Sequence, residues 1–105
     1  MNRQQDHQRP LAEPEQRLLG KAQEAVERRL AACVQVLGPV HSVYRWNDEV
    51  EEADEWLCVA KTSQAGYPAV EAAILELHSY ECPEVVATPI AAGAPAYLDW
   101  LARQL

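Results

Sequence analysis

The sequence predicts one α+β domain in which helices cover one face of an antiparallel sheet. Two β-rich segments flank a short turn signal near residue 47, which predicts a long hairpin. Apolar residues recur every three or four positions before and after this hairpin, which predicts amphipathic helices. The length of 105 residues allows one domain and leaves no room for a second.

Charge and composition exclude several classes of protein. The chain has 16 acidic and 9 basic side chains, and beyond residue 29 the basic ones are Arg45, Lys61 and Arg103. We expect no nucleic-acid partner, because phosphate binding depends on clustered cations. Residues 1–9 contain no apolar leader, and no window approaches the roughly 18 apolar residues of a membrane span. The sequence therefore predicts a cytoplasmic protein with no membrane partner.

The three cysteines are widely spaced, odd in number and free of any CxxC pair. This pattern predicts reduced thiols rather than a disulfide framework. Cys33 and Cys58 lie within apolar runs and are predicted to be small buried hydrophobes.

The N-terminal third is predicted to contain a tail and a helix. Residues 1–12 are polar and lack periodicity, so we expect a disordered tail before a domain that spans residues 13–105. From Glu13 an apolar stripe at helical spacing predicts the first helix. Its members are Leu18, Ala22, Ala25, Val26 and Leu30.

The hairpin is predicted from two β-rich runs. Residues 32–46 form a long strand that bends or bulges at Gly38-Pro39, and Asn47-Asp48 supply the turn. Residues 51–61 return, with the apolar residues 56–60 predicted to be buried on both faces. Six acidic side chains between residues 48 and 55 are typical of a solvated hairpin tip, although such a cluster could also hold cations loosely.

The C-terminal part is predicted to contain a helix from Pro68, a short buried strand over residues 85–88 and a terminal helix over residues 96–105. The resulting order, αββαβα, is nearest to the ferredoxin-like βαββαβ unit. The first strand of that unit is missing, because nothing before Glu13 has a strand pattern.

Five segments, in order and in spacing, resemble CutA, the divalent-cation tolerance family, over residues 14–105. They are residues 29–34 (RLAACV), 43–46 (VYRW), 55–62 (EWLCVAKT), 76–84 (ELHSYECPE) and 96–100 (AYLDW). The resemblance implies a ferredoxin-like fold similar to the PII proteins, assembled as a homotrimer through sheets and hairpins. It further implies copper tolerance and metal binding, as in bacteria, or a role in acetylcholinesterase assembly, as in animals, with no defined reaction.

The chain departs from the family pattern in three respects. Family members usually begin with an apolar strand, whereas this chain has MNRQQDHQRPLA. Some bacterial members carry a copper-site cysteine in that strand, and this chain has no counterpart. The usual His-Pro-Tyr-Glu segment is His78-Ser79-Tyr80-Glu81 here, a change expected to loosen the loop.

His78, Glu81 and Cys82 are the predicted metal ligands. Imidazole and thiolate suit Cu(I) or Zn(II), and a carboxylate broadens the choice of ion. The alternative is that His78 caps the second helix and Cys82 is buried beside the next strand.

A second predicted site is a cleft that holds a small molecule. Aromatic side chains beside carboxylates and a lysine suit a small cationic or polar ligand. In the alternative, the aromatic residues are core or interface residues and Lys61 pairs with a glutamate. The residues of this cleft, all on family motifs, are Trp46, Lys61, Tyr80, Glu81, Glu84, Tyr97 and Trp100.

The sequence favours a binding protein over an enzyme. It contains no GxSxG, glycine-rich phosphate loop or HExxH motif, and His7, His41 and His78 are dispersed. We therefore expect a non-enzymatic, trimeric CutA-like protein that binds copper or another divalent cation and needs no organic cofactor. The alternative is a PII-like small-molecule sensor or assembly scaffold in which metal binding is incidental.

Overall fold

The computed structural model describes residues 13–77 and 83–105. Its elements are α1 (Glu13–Glu27), β1 (Cys33–Trp46), β2 (Glu49–Lys61), α2 (Tyr67–Leu77) and α3 (Pro95–Arg103). The predicted helices and the long hairpin are therefore confirmed, and the fold is α+β. The predicted tail, residues 1–12, and the segment 78–82 lie outside the described residues.

Helix α1 ends in a tight C-terminal cap. Arg29 has a left-handed backbone, with φ of 60°. The amide of Leu30 donates to the Ala25 carbonyl at 2.9 Å, and the amide of Arg29 donates to the Val26 carbonyl at 3.0 Å. This pair of bonds is the Schellman motif, which satisfies carbonyls that the helix leaves unpaired. The chain is thereby turned directly into β1.

The hairpin turns at Asn47-Asp48, as predicted. Trp46 pairs with Glu49, and the two turn residues have φ values of 50° and 65°. Two consecutive residues with positive φ define the type I′ turn, whose twist matches that of paired strands.

The predicted bulge is also present. The pairing shifts between Leu37 and Val40, so that Gly38-Pro39 lies opposite the single residue Trp56. Gly38 has φ of 155°, and a Cβ at this position would lie 2.7 Å from the Trp56 ring. Only glycine fits both the backbone angle and the ring.

The sheet contains two strands in the part of the chain that the structure describes. Residues 83–94 form no regular element, and Val86 is 76% exposed, so the prediction of a buried strand over residues 85–88 was wrong. Val and Thr have high β propensity, but a strand also needs a neighbouring strand for its backbone hydrogen bonds. Neither β1 nor β2 pairs with this segment.

The core is small. Among the described residues the buried apolar ones are Ala31, Ala32, Val70 and Leu101. The prediction that residues 56–60 are buried on both faces was wrong for the single chain, because Leu57 is 49% exposed and Cys58 is exposed. A two-stranded sheet has too few neighbouring elements to cover both of its faces.

Candidate functional site

The candidate site lies at the base of the hairpin, where β1 begins, β2 ends and α3 approaches. Lys61 is paired with Cys33 across the two strands. Directly paired residues project to the same face, as do residues two positions apart, so Gln35 joins them there. Val34 projects to the other face and lines a groove with Leu19, Ala22 and Val26 of α1.

Lys61 makes two contacts on this face. Its Nζ donates to Oε1 of Gln35 at 3.4 Å and lies 5.8 Å from the centroid of the Tyr97 ring. A cation at that distance from an aromatic ring is attracted by the ring's negative face. The Tyr97 hydroxyl, followed by the electrostatic effect of Cys33, raises the pKa of Lys61 above its ordinary value. The cationic form of Lys61 is therefore favoured in this position.

Helix α3 brings aromatic surface to the site. Pro95 begins α3, and the rings of Tyr97 and Trp100 lie 5.8 Å apart at an interplanar angle of 31°. Tyr97 is 41% exposed and Trp100 is 39% exposed. The two rings therefore present a partly open aromatic platform beside the Lys61 ammonium.

A thiol completes the group. Cys33 is half-buried, and its Sγ lies 4.0 Å from the Tyr97 hydroxyl. The prediction of Cys33 as a plain buried hydrophobe was therefore incomplete, and Gln35 was missed. The sequence does carry a signal for Cys33 and Gln35. They lie two positions apart on β1, so they share the face of the sheet to which Lys61, the partner of Cys33, projects. The bulge hides that signal, because an unbroken register counted from the turn would pair Lys61 with Val34.

The structure gathers part of the predicted cleft. Lys61, Tyr97 and Trp100 meet, as described above. Glu84 is exposed in the irregular segment before α3, and Trp46 lies beside the turn at the opposite end of the hairpin from Lys61. At about 3.3 Å per residue, the length of β1 separates Trp46 from Lys61 by on the order of 40 Å within one chain. Tyr80 lies outside the described residues.

The predicted metal ligands His78, Glu81 and Cys82 also lie outside the described residues. Within residues 13–77 and 83–105, no group of three or more His, Cys, Asp or Glu side chains is arranged to hold a metal ion. In the same part of the chain, no helix is long and apolar enough to cross a membrane.

Comparison with solved structures defines the class of protein. The fold is similar to that of the divalent cation tolerance protein from Thermus thermophilus, with a TM-score of 0.81, 42% identity, and coverage of 86% of this chain and 87% of that one. It is also similar to a PII-like CutA protein from a Nostoc species, with a TM-score of 0.73, 35% identity, and coverage of 79% and 81%. The chain therefore has the PII-like α+β fold.

Sequence comparison gives the family. The model of the CutA1 divalent ion tolerance protein matches residues 12–104. The Thermus thermophilus divalent-cation tolerance protein CutA is 46% identical over 80 residues, which is 76% of this chain and 78% of that protein. Mouse CutA is 40% identical over 80 residues, which is 45% of the mouse protein. The chain belongs to the CutA1 divalent ion tolerance family.

Proposed function

We propose that this chain contributes to tolerance of divalent cations by binding copper or another such ion, as a homotrimer without catalytic activity. The observation that carries the proposal is the family match over residues 12–104. The relatives from Thermus thermophilus and Archaeoglobus fulgidus are both named divalent-cation tolerance proteins.

The proposed ligands are His78, Glu81 and Cys82. Within five residues they supply an imidazole, a carboxylate and a thiol. Nitrogen and sulfur ligands together suit Cu(I) and Zn(II). Two flanking side chains, Glu76 and Glu84, would favour a cation electrostatically.

The proposed trimer is supported by the apolar surface of the hairpin. Val43 and Val50 are 62% and 64% exposed, and they lie near Arg45 on one face. Tyr44 and Trp46 lie on the other face, 38% and 40% exposed. Apolar side chains on both faces of a two-stranded arm are typical of a surface that another chain covers.

The first experiment is the molar mass of the purified chain by light scattering, with and without copper. We expect a mass near three times 11.7 kDa. Titration calorimetry should then give about one ion per chain. A stable monomer would contradict the proposed assembly.

Two variants test the ligands. His78→Ala combined with Cys82→Ala should abolish saturable metal binding, because it removes both soft ligands. Cys58→Ala is the matched control, since it deletes an exposed thiol on β2 and should leave binding intact. Equal binding by the wild type and the double variant would rule out these ligands.

A second candidate function, a small-molecule sensor or assembly scaffold, is favoured by the grouping of Lys61, Tyr97 and Trp100. An exposed aromatic platform beside a cation suits a small polar ligand that stacks on the rings. In the proposed trimer, Trp46 would reach such a cleft from a neighbouring chain. Binding insensitive to His78→Ala with Cys82→Ala, but lost on Trp100→Leu, would favour the sensor over metal binding.

We also propose a cytoplasmic location, on the grounds of the three widely spaced cysteines, whose odd number suits reduced thiols. Fractionation of cells that express the untagged chain tests this. Recovery in a membrane or secreted fraction would contradict it.

A further inference from the structure

His41 lies at the centre of a charged cluster on the hairpin arm. We use the name hairpin arm for residues 40–55. It is paired with Asp54 across the strands, and Glu52 lies two positions from Asp54 on the same face. Nδ1 of His41 lies 2.8 Å from Oδ1 of Asp54, and Nε2 lies 2.9 Å from Oε1 of Glu52. Each ring nitrogen therefore has its own carboxylate.

This geometry fits the protonated imidazole. A carboxylate only accepts hydrogen bonds, and a neutral imidazole carries a single N–H. Both nitrogens can donate only in the imidazolium form, so only that form satisfies both contacts. Asp54 and Glu52 approach opposite nitrogens of the ring, so a metal ion bound to one nitrogen could not also bind both carboxylates.

The electrostatic setting also favours a cation at His41. Five carboxylates lie on β2 between residues 49 and 55, while β1 brings one permanent cation, Arg45, to the same face as His41. The Arg45 guanidinium donates to the backbone carbonyl of Asp48 at 3.3 Å. Hydrogen bonds that the imidazolium donates to Asp54 first, and to Glu52 second, raise the pKa of His41 above its ordinary value of 6.5.

The cluster occupies a weak part of the hairpin. His41 directly follows the bulge, where the pairing between Leu37 and Val40 is interrupted. Beyond the bulge the described strands of the arm pair with each other, so a contact between their side chains adds to the backbone hydrogen bonds of that pair. The His41 side chain is 61% exposed, so it can exchange its proton with solvent.

We propose that His41, Glu52 and Asp54 form a pH-sensitive clasp that holds the two strands of the hairpin arm together just beyond the bulge. In mildly acidic solution, where the carboxylates are ionised, the imidazolium bridges both carboxylates of β2. As pH rises, the ring loses one proton, one of the two bonds is lost, and the arm loosens. The proposal goes beyond metal binding and does not depend on it.

The sign follows from the raised pKa of His41. The group binds its proton more tightly in the folded chain than in the unfolded one. Its contribution to stability is therefore complete below the ordinary value of about 6.5 and is lost as pH rises through the raised folded value.

The test is an NMR titration of the full chain, with His7→Gln used to separate the histidine signals. We expect His41 to titrate above the ordinary value near 6.5 and to shift down in both Glu52→Gln and Asp54→Asn. The matched control is Glu55→Gln, because Glu55 is paired with Val40 and projects to the opposite face. This control should shift the titration less than either of the other two variants.

Hydrogen exchange provides the structural readout. Corrected for intrinsic rates, the protection of the amides of residues 40–43 and 53–55 should fall as His41 deprotonates. His41→Gln should remove this pH dependence. The proposal is overturned if His41 titrates at its ordinary value in all variants, or if arm protection in the wild type does not change with pH.

Discussion

The ammonium group of Lys61, the last residue of β2, lies 5.8 Å from the centre of the Tyr97 ring of α3. This contact connects the base of the hairpin to the C-terminal helix. Arg29, in the cap of α1 that leads into β1, contacts the residue after α3, since its Nη1 donates to the Gln104 carbonyl at 3.2 Å. Both contacts join residues distant in the chain, so the candidate site depends on how α3 is held against the hairpin.

Removing the Tyr97 side chain should lower the pKa of Lys61. Tyr97→Phe removes the hydroxyl, which makes the largest contribution to the raised pKa, and Tyr97→Leu also removes the ring. We expect a stepwise fall, measured by NMR titration of the lysine side chain. The stability that this contact contributes is present below about pH 10.4, the ordinary lysine value, and is lost as pH rises through the raised value. Tyr44→Leu, on the arm, is the control and should leave the pKa of Lys61 unchanged. An unchanged pKa of Lys61 in Tyr97→Leu would contradict the contact.

Gly38→Ala should destabilise the fold by about 2 kcal/mol, because the new methyl group would meet the Trp56 ring and the backbone angle is unfavourable for a side chain. Gly20→Ala is the control. Gly20 lies within α1 with nothing near its would-be Cβ, so alanine should stabilise by about 0.5–1 kcal/mol. Urea unfolding measures both. If Gly38→Ala left the free energy of unfolding unchanged, the bulge would not need glycine.

Asp48→Gly should stabilise the hairpin by about 0.5 kcal/mol. Asp48 has φ of 65°, and the type I′ turn prefers glycine at this second central position. The hydrogen bond from Arg45 is unaffected, since it goes to the backbone carbonyl of residue 48. Asp48→Val should have the opposite effect, because a β-branched residue tolerates positive φ poorly. In thermal unfolding, the midpoint of Asp48→Gly should lie above that of the wild type and the midpoint of Asp48→Val below it. The reverse order of midpoints would argue against a type I′ turn.

Thr62→Val should cost about 1 kcal/mol. The Thr62 hydroxyl donates to the Leu30 carbonyl at 2.9 Å in a half-buried position, so the isosteric valine removes a hydrogen bond and leaves a carbonyl without its partner. Thr88→Val is the control, because Thr88 is exposed, and it should change the free energy of unfolding by less than about 0.5 kcal/mol. If Thr62→Val and Thr88→Val changed the free energy of unfolding equally, the hydrogen bond between Thr62 and Leu30 would not contribute to stability.

The local elements were predictable because each depends on near neighbours in the chain. The apolar spacing in residues 18–30 indicates α1, and Asn47-Asp48 indicates the turn. Gly38-Pro39 indicates the interruption between Leu37 and Val40. The residues Lys61, Tyr97 and Trp100 were predicted from family motifs, and the structure brings them together.

The sequence by itself determined the α+β class, the helices, the hairpin and the family, since periodicity, turn residues and motifs are local properties. Only the tertiary structure decided which side chains meet at the site. Because of the bulge, Lys61 is paired with Cys33 instead of Val34, and its side chain therefore shares the face of Cys33. The bulge itself depends on the close approach of Gly38 to the Trp56 ring. Residues 85–88 show the same limit, because β propensity becomes a strand only where another strand supplies the hydrogen bonds.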